Sequence, residues 1–162
     1  MRYIMKQKIF SLTDSFTIQD AQGNPAFKVK GKLLSLGDKL DIYRPDGEKV
    51  AQVQQKVFSL GARYRVLRDG EVQAMLKKRR FTLVKDKFDV KMYDGAPDIE
   101  IEGNILEHNY RFERAGRAVA RVSKQWVSLR DSYGIDIVEG EDDVLILACA
   151  IIIDMINHND SD

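Results

Sequence analysis

Most of the chain alternates polar and apolar residues with a period of two, the pattern of strands that are buried on one face. Asp-Gly and Ala-Gly pairs separate these segments at short intervals, and such pairs favour hairpin turns because Gly adopts positive φ. Hairpin rules predict about twelve strands in the whole chain. The clearest segments are Phe16–Asp20, Phe27–Leu34, Lys39–Arg44, Arg63–Arg68, Phe88–Tyr93, Ile99–Leu106 and Tyr110–Arg114.

One segment near the C-terminus breaks this alternation. It is VLILACAIIIDMI, Val144 to Ile156, and twelve of its thirteen residues are apolar. Three acids precede it, as suits the start of a helix, and we predict a helix over about 142–157. The segment is too short to span a bilayer, which needs roughly 20 residues. A helix that is apolar nearly all round must be enclosed nearly all round.

The strand pattern occurs twice along the chain, which indicates an internal repeat. Residues of about 8–75 resemble those of about 80–138: Tyr64 aligns with Tyr133 at an offset of 69, and Gly31 aligns with Gly103 at an offset of 72. Two six-stranded repeats can enclose the helix by closing on each other, and closure removes exposed sheet edges. We therefore predict one mainly β domain over 1–162, a closed antiparallel twelve-stranded barrel around a hydrophobic C-terminal α-helix.

Several segments together resemble a known family. They are VSKQWVSLRDSYGIDIVEGEDDVLILACAIIIDMI (Val122 to Ile156), MKQKIFSLTDSFTIQDAQGN (Met5 to Asn24), FKVKGKLLSLGDKLDIYRPDGEKVAQVQQK (Phe27 to Lys56) and LKKRRFTLVKDKF (Leu76 to Phe88). Nearly the whole chain is similar to the LURP-one-related family, including its bacterial members, within the tubby C-terminal-like superfamily. The resemblance implies a twelve-stranded barrel around a C-terminal helix. It implies little about activity, since a fold alone is a weak guide to function.

Charge is unevenly distributed along the chain. The net charge is +1, but residues 1–80 hold 17 basic and 8 acidic residues, a net of +9, and residues 81–162 carry the balancing −8. The sequence therefore predicts a dipolar surface with a basic half and an acidic half.

Catalytic signatures are absent from the sequence, which has no GxSxG, HExxH, P-loop or GxGxxG motif. We expect no enzymatic activity and no cofactor. His108 is predicted to be exposed in a turn and His158 in a polar tail, whereas Cys149 is predicted to be a small buried hydrophobe. Asp154 needs an arginine partner if it is buried, and we expect it instead to be hydrated where the helix leaves the barrel.

Carboxylates near the start of the helix are weak candidates for a cation site. The candidates are Asp131, Glu139, Glu141 and Asp142. Related scramblases carry a proposed calcium segment here, but Leu129 and Gly140 occupy positions where acids are expected. The alternative is a helix N-terminus with a favourable dipole interaction. We expect no metal and no scramblase-like activity.

Basic residues are the most informative polar feature. Clustered cations bind polyanions, and tubby domains bind phosphoinositide headgroups through basic strand residues, so the resemblance indicates the same chemistry. Our hypothesis is a binding domain for anionic phospholipid headgroups at a membrane surface. The candidate phosphate contacts are Lys77, Lys78, Arg79 and Arg80, followed by Lys28, Lys30 and Lys32, which alternate along one predicted strand.

Two other hypotheses stay open. The first is a protein-interaction or scaffold domain that has no lipid ligand and self-associates through its oppositely charged halves. The second is nucleic-acid binding, which requires aromatic residues on the basic face, and only Tyr64 and Phe81 are candidates. Because Lys6 and Lys8 occupy the place of a signal peptide's apolar core, we expect a cytoplasmic protein, peripheral to membranes if it binds lipid.

Overall fold

Strands predominate in the computed structural model, which describes residues 1–6, 15–32, 37–57, 61–79 and 84–161, with the backbone alone for Lys32 and residues 159–161. Within these ranges there are twelve strands and one helix. The strands are β1 (Arg2–Lys6), β2 (Ser15–Asp20), β3 (Pro25–Lys32), β4 (Lys39–Tyr43), β5 (Lys49–Gln55), β6 (Arg63–Arg68), β7 (Glu71–Lys78), β8 (Asp86–Met92), β9 (Ile99–Asn104), β10 (Asn109–Arg114), β11 (Arg117–Ser123) and β12 (Ser132–Ile137). The helix is α1 (Asp143–Ser161).

All twelve strands pair antiparallel in chain order to form a closed barrel. Closure is completed by β1, which pairs with β12 on one side and with β2 on the other, so that Ile4 lies opposite Gly134 and opposite Gln19. The predicted fold class, a closed twelve-stranded barrel around a C-terminal helix, is confirmed.

Helix α1 fills the barrel. Every residue from Val144 to Ile156 is buried, and the inward residues of the strands surround them. Its 19 residues correspond to about 28 Å of helix. The helix is longer than predicted at its C-terminal end because polar residues beyond Ile156 continue it. The thiol of Cys149 is buried, as predicted, and burial raises its pKa to about 12.

The barrel has two halves that are not consecutive in the chain. The first half is β2–β7, and the second half is β8–β12 together with β1. Strand β7 lies between β6 and β8, and β1 occupies the matching place between β12 and β2. The N-terminal strand β1 thus supplies the sixth strand of the second half, because the chain continues from β12 into the helix and not into another strand. The duplication itself stays a prediction.

Equivalent residues of the two halves have equivalent surroundings. Tyr64 and Tyr133 are both fully buried. Gly31 lies opposite Leu40 in β4, and Gly103 lies opposite Tyr110 in β10. A Cβ atom at either glycine would lie closer than 3.0 Å to backbone atoms of the facing strand. Both glycines are therefore needed for close strand approach.

The connections alternate between two rims. The near rim, where the helix begins, comprises residues 21–24, 44–48, 69–70, 93–98, 115–116 and 138–142. The far rim, toward which the helix runs, comprises the described residues 37–38, 56–57, 61–62, 79, 84–85, 105–108 and 124–131. Hairpins of an antiparallel barrel put every second connection at the same end, so these two sets lie about one strand length apart.

Candidate anion-binding face

Six cations on the outer surface of the first half, from β3 to β7, have no carboxylate partner among the described residues. We call them the basic face; they are Lys28, Lys30, Lys39, Arg63, Arg65 and Lys77. Each alternates with a residue that is buried in the core, such as Val29, Leu40 or Tyr64, so its own side chain is directed outward.

Strand register brings the members of this face together. Lys39 lies opposite Gln54, and Gln54 lies opposite Arg65, so β4 and β6 place their cations in one row across β5. Arg63 lies directly opposite Lys77. Residues this far apart in the chain become neighbours only through the pairing of β4 to β7.

Carboxylates do not neutralise the basic face within the described part of the chain, where none of its six cations forms a salt bridge. The Nε atoms of Arg63 and Arg65 are buried there without a hydrogen-bond acceptor. Asp41 lies opposite Lys30, but its carboxylate accepts from Lys49 Nζ at 3.0 Å and Gln52 Nε2 at 2.7 Å. A buried donor without an acceptor costs free energy.

Lys30 has a different neighbour. Its Nζ lies 5.5 Å from the centroid of the Tyr43 ring, a cation–π contact that holds the charge at the surface without neutralising it. Lys28 and Lys30 both lie on the outer face of β3, whereas Lys32 is known only by its backbone place opposite Lys39.

The structure separates the predicted basic tetrad. Lys77 belongs to the basic face, whereas Lys78 is half-buried and lies opposite the inward residue Phe88. Arg79 donates two hydrogen bonds to Asp89, at 2.5 and 3.2 Å. Glu100 lies 3.7 Å from the same guanidinium. Arg80 lies outside the described residues. Arg79 is therefore already neutralised, and Lys77 is the tetrad member that joins the unpaired cations.

Arg63, Arg65 and Lys39 were not among the phosphate contacts predicted from the sequence. The alternation of RYRVLR indicates the outward direction of the two arginines, but their proximity to β4 and β7 depends on register. Tyr64, named as a candidate for base stacking, is fully buried and faces the helix, and Phe81 lies outside the described residues.

The acids proposed as weak metal ligands lie at opposite rims. Asp131 precedes β12 at the far rim, and the other three follow β12 at the near rim. Glu141 accepts from Arg114 at 2.7 Å, and Asp142 accepts from Arg68 at 2.9 Å and from Gln73. No group of three or more metal-ligating side chains occurs in the part of the chain that the structure describes.

These near-rim acids attach the helix to the barrel wall. Besides its two side-chain partners, Asp142 accepts a hydrogen bond from the backbone N–H of Leu145 at 3.2 Å, as an N-cap does. Burial by itself raises the pKa of Asp142, but the hydrogen bonds from Gln73 and Leu145 and the Arg68 charge outweigh burial and lower it. Tyr3 donates to Asp143 at 2.5 Å, so β1 takes part in the attachment.

Asp154 is buried, so the expectation that it is hydrated at the helix exit is wrong. Its partners are Tyr133, whose hydroxyl donates to it, and His108, whose Nε2 lies 3.6 Å away. Burial raises the pKa of Asp154 despite these two partners. His108 lies in a turn as predicted, but it is buried and stacks on the Tyr133 ring at 4.3 Å. The partners of the buried acid are thus a tyrosine and a histidine, and not an arginine.

Two more buried polar atoms adjoin this cluster. The hydroxyl of Tyr110 and Nδ1 of His108 have no hydrogen-bond partner among the described residues. Burial, together with the charge of Asp154, raises the pKa of Tyr110 and of Tyr133. Raised tyrosine pKa values keep both hydroxyls protonated, and the Tyr133 hydroxyl acts as a hydrogen-bond donor to Asp154.

A twelve-stranded barrel with an enclosed C-terminal helix defines a particular class of protein. Residues 1–154 match the sequence profile described as LURP-one-related, and the chain belongs to this family. No helix among the described residues is long and apolar enough to cross a membrane.

Similar proteins agree with this assignment. The chain is 34% identical over 158 residues to the Bacillus subtilis (strain 168) protein YxjI, whose name describes it as uncharacterized; the match covers 98% of this chain and 94% of that protein. The X-ray structure of an Arabidopsis thaliana protein matches with a TM-score of 0.70 and 21% identity, over 96% of this chain and 91% of that chain. The second likeness shows the shared fold.

Proposed function

We propose that this protein is a binding domain without enzymatic activity that recognises anionic phospholipid headgroups at a membrane surface through the basic face. The observation that carries the proposal is the set of six outward cations without carboxylate partners in the described structure. Clustered cations attract phosphate, and each contributes about 1 kcal/mol near an anionic membrane.

The shape of the face favours a surface ligand over a small molecule. The helix fills the barrel interior, so the outward cations are offered on a convex sheet rather than in a cavity. Arginine at two of the six positions suits phosphate, because the guanidinium presents several donors in one plane. We expect the protein to be cytoplasmic and to act at the membrane periphery.

Vesicle co-sedimentation tests the proposal. Neutral vesicles are compared with vesicles that contain anionic phospholipid, with and without phosphoinositide, at low salt and at about 0.15 M salt. The test variant carries Lys39→Gln, Arg65→Gln and Lys77→Gln. At about 1 kcal/mol for each cation, we expect it to bind anionic vesicles about 100-fold more weakly than the wild type.

A matched control removes the same charge elsewhere. It carries Arg44→Gln, Arg117→Gln and Arg121→Gln, all of which are exposed outside the basic face. We expect it to retain most of the binding. Equal losses in the two triple variants would show that net charge decides binding and would contradict a specific face. Arg79→Gln alone is expected to weaken binding less than Lys77→Gln alone, since Arg79 is already paired with Asp89.

A protein-interaction domain is the second candidate. Eight carboxylates and one cation lie on the near-rim connections, so a basic face and an acidic rim coexist on one molecule. Self-association predicts oligomers that dissociate in salt and no preference for lipid. Analytical ultracentrifugation at the same two salt concentrations separates this outcome from lipid binding.

A further inference from the structure

Exposed apolar side chains occur on four far-rim connections. Val84 is 91% exposed, Leu106 is 67% exposed, Leu129 is 55% exposed, and Val57 is exposed to a smaller extent. They lie on the β7–β8, β9–β10, β11–β12 and β5–β6 connections, respectively. Because all four connections lie at one end of the barrel, these side chains project from the same rim.

Cations adjoin three of these four residues in the chain. The pairs are Lys56–Val57, Val84–Lys85 and Leu129–Arg130. Single exposed apolar side chains are common on protein surfaces, but three far-rim connections each combine one with a cation, a combination that suits an anionic membrane interface. The fourth residue, Leu106, is followed by an acid, Glu107.

The near rim has the opposite composition. On its connections the exposed apolar residues, Tyr93 and Val138, are each followed by an acid, Asp94 and Glu139, whereas Met1, exposed at the same end, is followed by Arg2. Over whole rims, the near-rim connections carry eight carboxylates and one cation, whereas the described far-rim residues carry three carboxylates and five cations. An anionic membrane surface repels the first rim and attracts the second.

The basic face extends to the far rim. Lys39 and Arg63 are the first residues of β4 and β6, directly after far-rim connections, and Lys77 is the penultimate residue of β7. The cations of the face and the apolar rim residues therefore lie at the same end of the barrel, the cations and Val57 in the first half, Leu106 and Leu129 in the second, and Val84 where the two halves join.

We propose that the far rim is the end of the barrel that enters the membrane interface, with Val84, Leu106 and Leu129 among the lipid headgroups. The inference rests on the proposed function and adds an orientation to it: the barrel axis points at the bilayer, the rim cations contact lipid phosphates, and the acidic near rim faces away. The occupant of this surface is an anionic bilayer.

Fluorescent labelling of single introduced cysteines tests the orientation. Leu106→Cys and Val84→Cys report on the far rim, and Val138→Cys, at an exposed near-rim position, is the matched control. The native Cys149 is enclosed by the barrel, so a thiol-reactive, polarity-sensitive dye labels the introduced residue. Vesicles carry anionic phospholipid, with nitroxide spin labels on the acyl chains in a parallel sample.

The expected result is a blue-shifted emission and nitroxide quenching for labels at 84 and 106, and neither for a label at 138. Co-sedimentation is measured on the same samples. Bound protein with equal responses at both rims, or with no response at the far rim, overturns the orientation while the proposed function stands. Absence of binding to anionic vesicles overturns the proposed function and the orientation with it.

Substitution without labels gives an independent measure. Val84→Asp combined with Leu106→Asp is expected to weaken binding about tenfold or more, since it removes apolar contact and adds repulsion. The control is Val138→Asp combined with Tyr93→Asp, which adds the same charge at the near rim and is expected to change binding less than about threefold. Equal effects of the two double variants would overturn the orientation.

Discussion

The two halves of the barrel agree in their interiors and differ on their outer surfaces. Strands β3 and β9 show this directly when Gly31 is aligned with Gly103. The inward residues of both strands, Val29 in β3 and its counterpart Ile101 in β9, are apolar and buried. The outward residues differ in charge: Lys28 and Lys30 of β3 correspond to two glutamates, Glu100 and Glu102, of β9.

This reversal of charge affects which cations on the outer surface form ion pairs. In the second half, Glu102 accepts from Arg111 at 2.6 Å and lies 4.0 Å from Lys87, so acids and cations form a network. In the first half, Lys30 lies opposite Asp41, but that carboxylate is held by Lys49 and Gln52, so Lys30 forms no salt bridge of its own. Inward positions are constrained by packing against one helix, whereas outward positions are free to diverge, and binding properties arise there.

The largest expected effect concerns the interior that the halves share. Gly31→Ala and Gly103→Ala are each expected to lower the free energy of unfolding by about 3 kcal/mol or more, because the new Cβ would press on the backbone of the facing strand. Gly103 also has a φ of 150°, which L-residues rarely adopt. Urea unfolding followed by circular dichroism measures both losses.

A control separates steric clash from backbone strain. Gly47 has a φ of 93° but has open space where a Cβ would lie, so Gly47→Ala is expected to cost only about 1 kcal/mol. A loss at Gly31 no larger than at Gly47 would show that the facing strand yields easily and that the two glycines do not serve close packing.

An effect of intermediate size concerns two acids at opposite ends of the helix. The pKa of Asp154 is raised above its ordinary value of 3.8. Above pH 3.8 the unfolded chain loses this proton before the folded chain does, so the stability falls as pH rises toward the raised pKa, by at most about 1.4 kcal/mol for each pH unit. Asp154→Asn has no such proton, and its stability relative to the wild type is expected to rise with pH.

Asp142 is expected to show the opposite sign. Its pKa is lowered in the folded protein, so it contributes stability above pH 3.8 that is lost as pH falls through the lowered value. The stability of Asp142→Asn relative to the wild type is therefore expected to rise as pH falls. Urea unfolding of both variants from pH 3 to 7 measures the slopes, and parallel curves for wild type and Asp154→Asn would contradict a raised pKa.

The smallest effect is expected on the paired outer surface of the second half. Glu102→Gln breaks exposed ion pairs with Arg111 and Lys87, and such pairs contribute little because water and salt screen them. The free energy of unfolding is expected to fall by less than about 1 kcal/mol in urea titrations. A loss of 2 kcal/mol or more would mean that the network is structural rather than a neutralising surface.

Much of the fold is predictable from local pattern. The period of two in RYRVLR, the Asp-Gly turns and the uninterrupted apolar segment from Val144 each indicate an element without any knowledge of the others. Closure could be inferred because the helix must be enclosed on all sides. The role of β1 as the partner of both β12 and β2 depends on pairing between the two ends of the chain, which local pattern does not contain.

The candidate site was predictable only in part. Alternation placed Lys28 and Lys30 on one outer face, as the structure has them. The four consecutive cations after Leu76 were predicted to act together. Consecutive strand residues point to opposite faces, however, and Arg79 forms an ion pair with Asp89 of β8. Asp154 was misjudged because its partners, His108 and Tyr133, come from other elements.

The amino-acid sequence by itself determined the elements, the enclosed helix and the unequal charge of the two halves, because periodicity, turn residues and composition act over a few neighbouring residues. Only the tertiary structure decided which cations stay unpaired, which acids attach the helix, and which loops share a rim. The physical reason is that electrostatic interactions depend on distances of a few ångströms, and between strands those distances are set by register and closure.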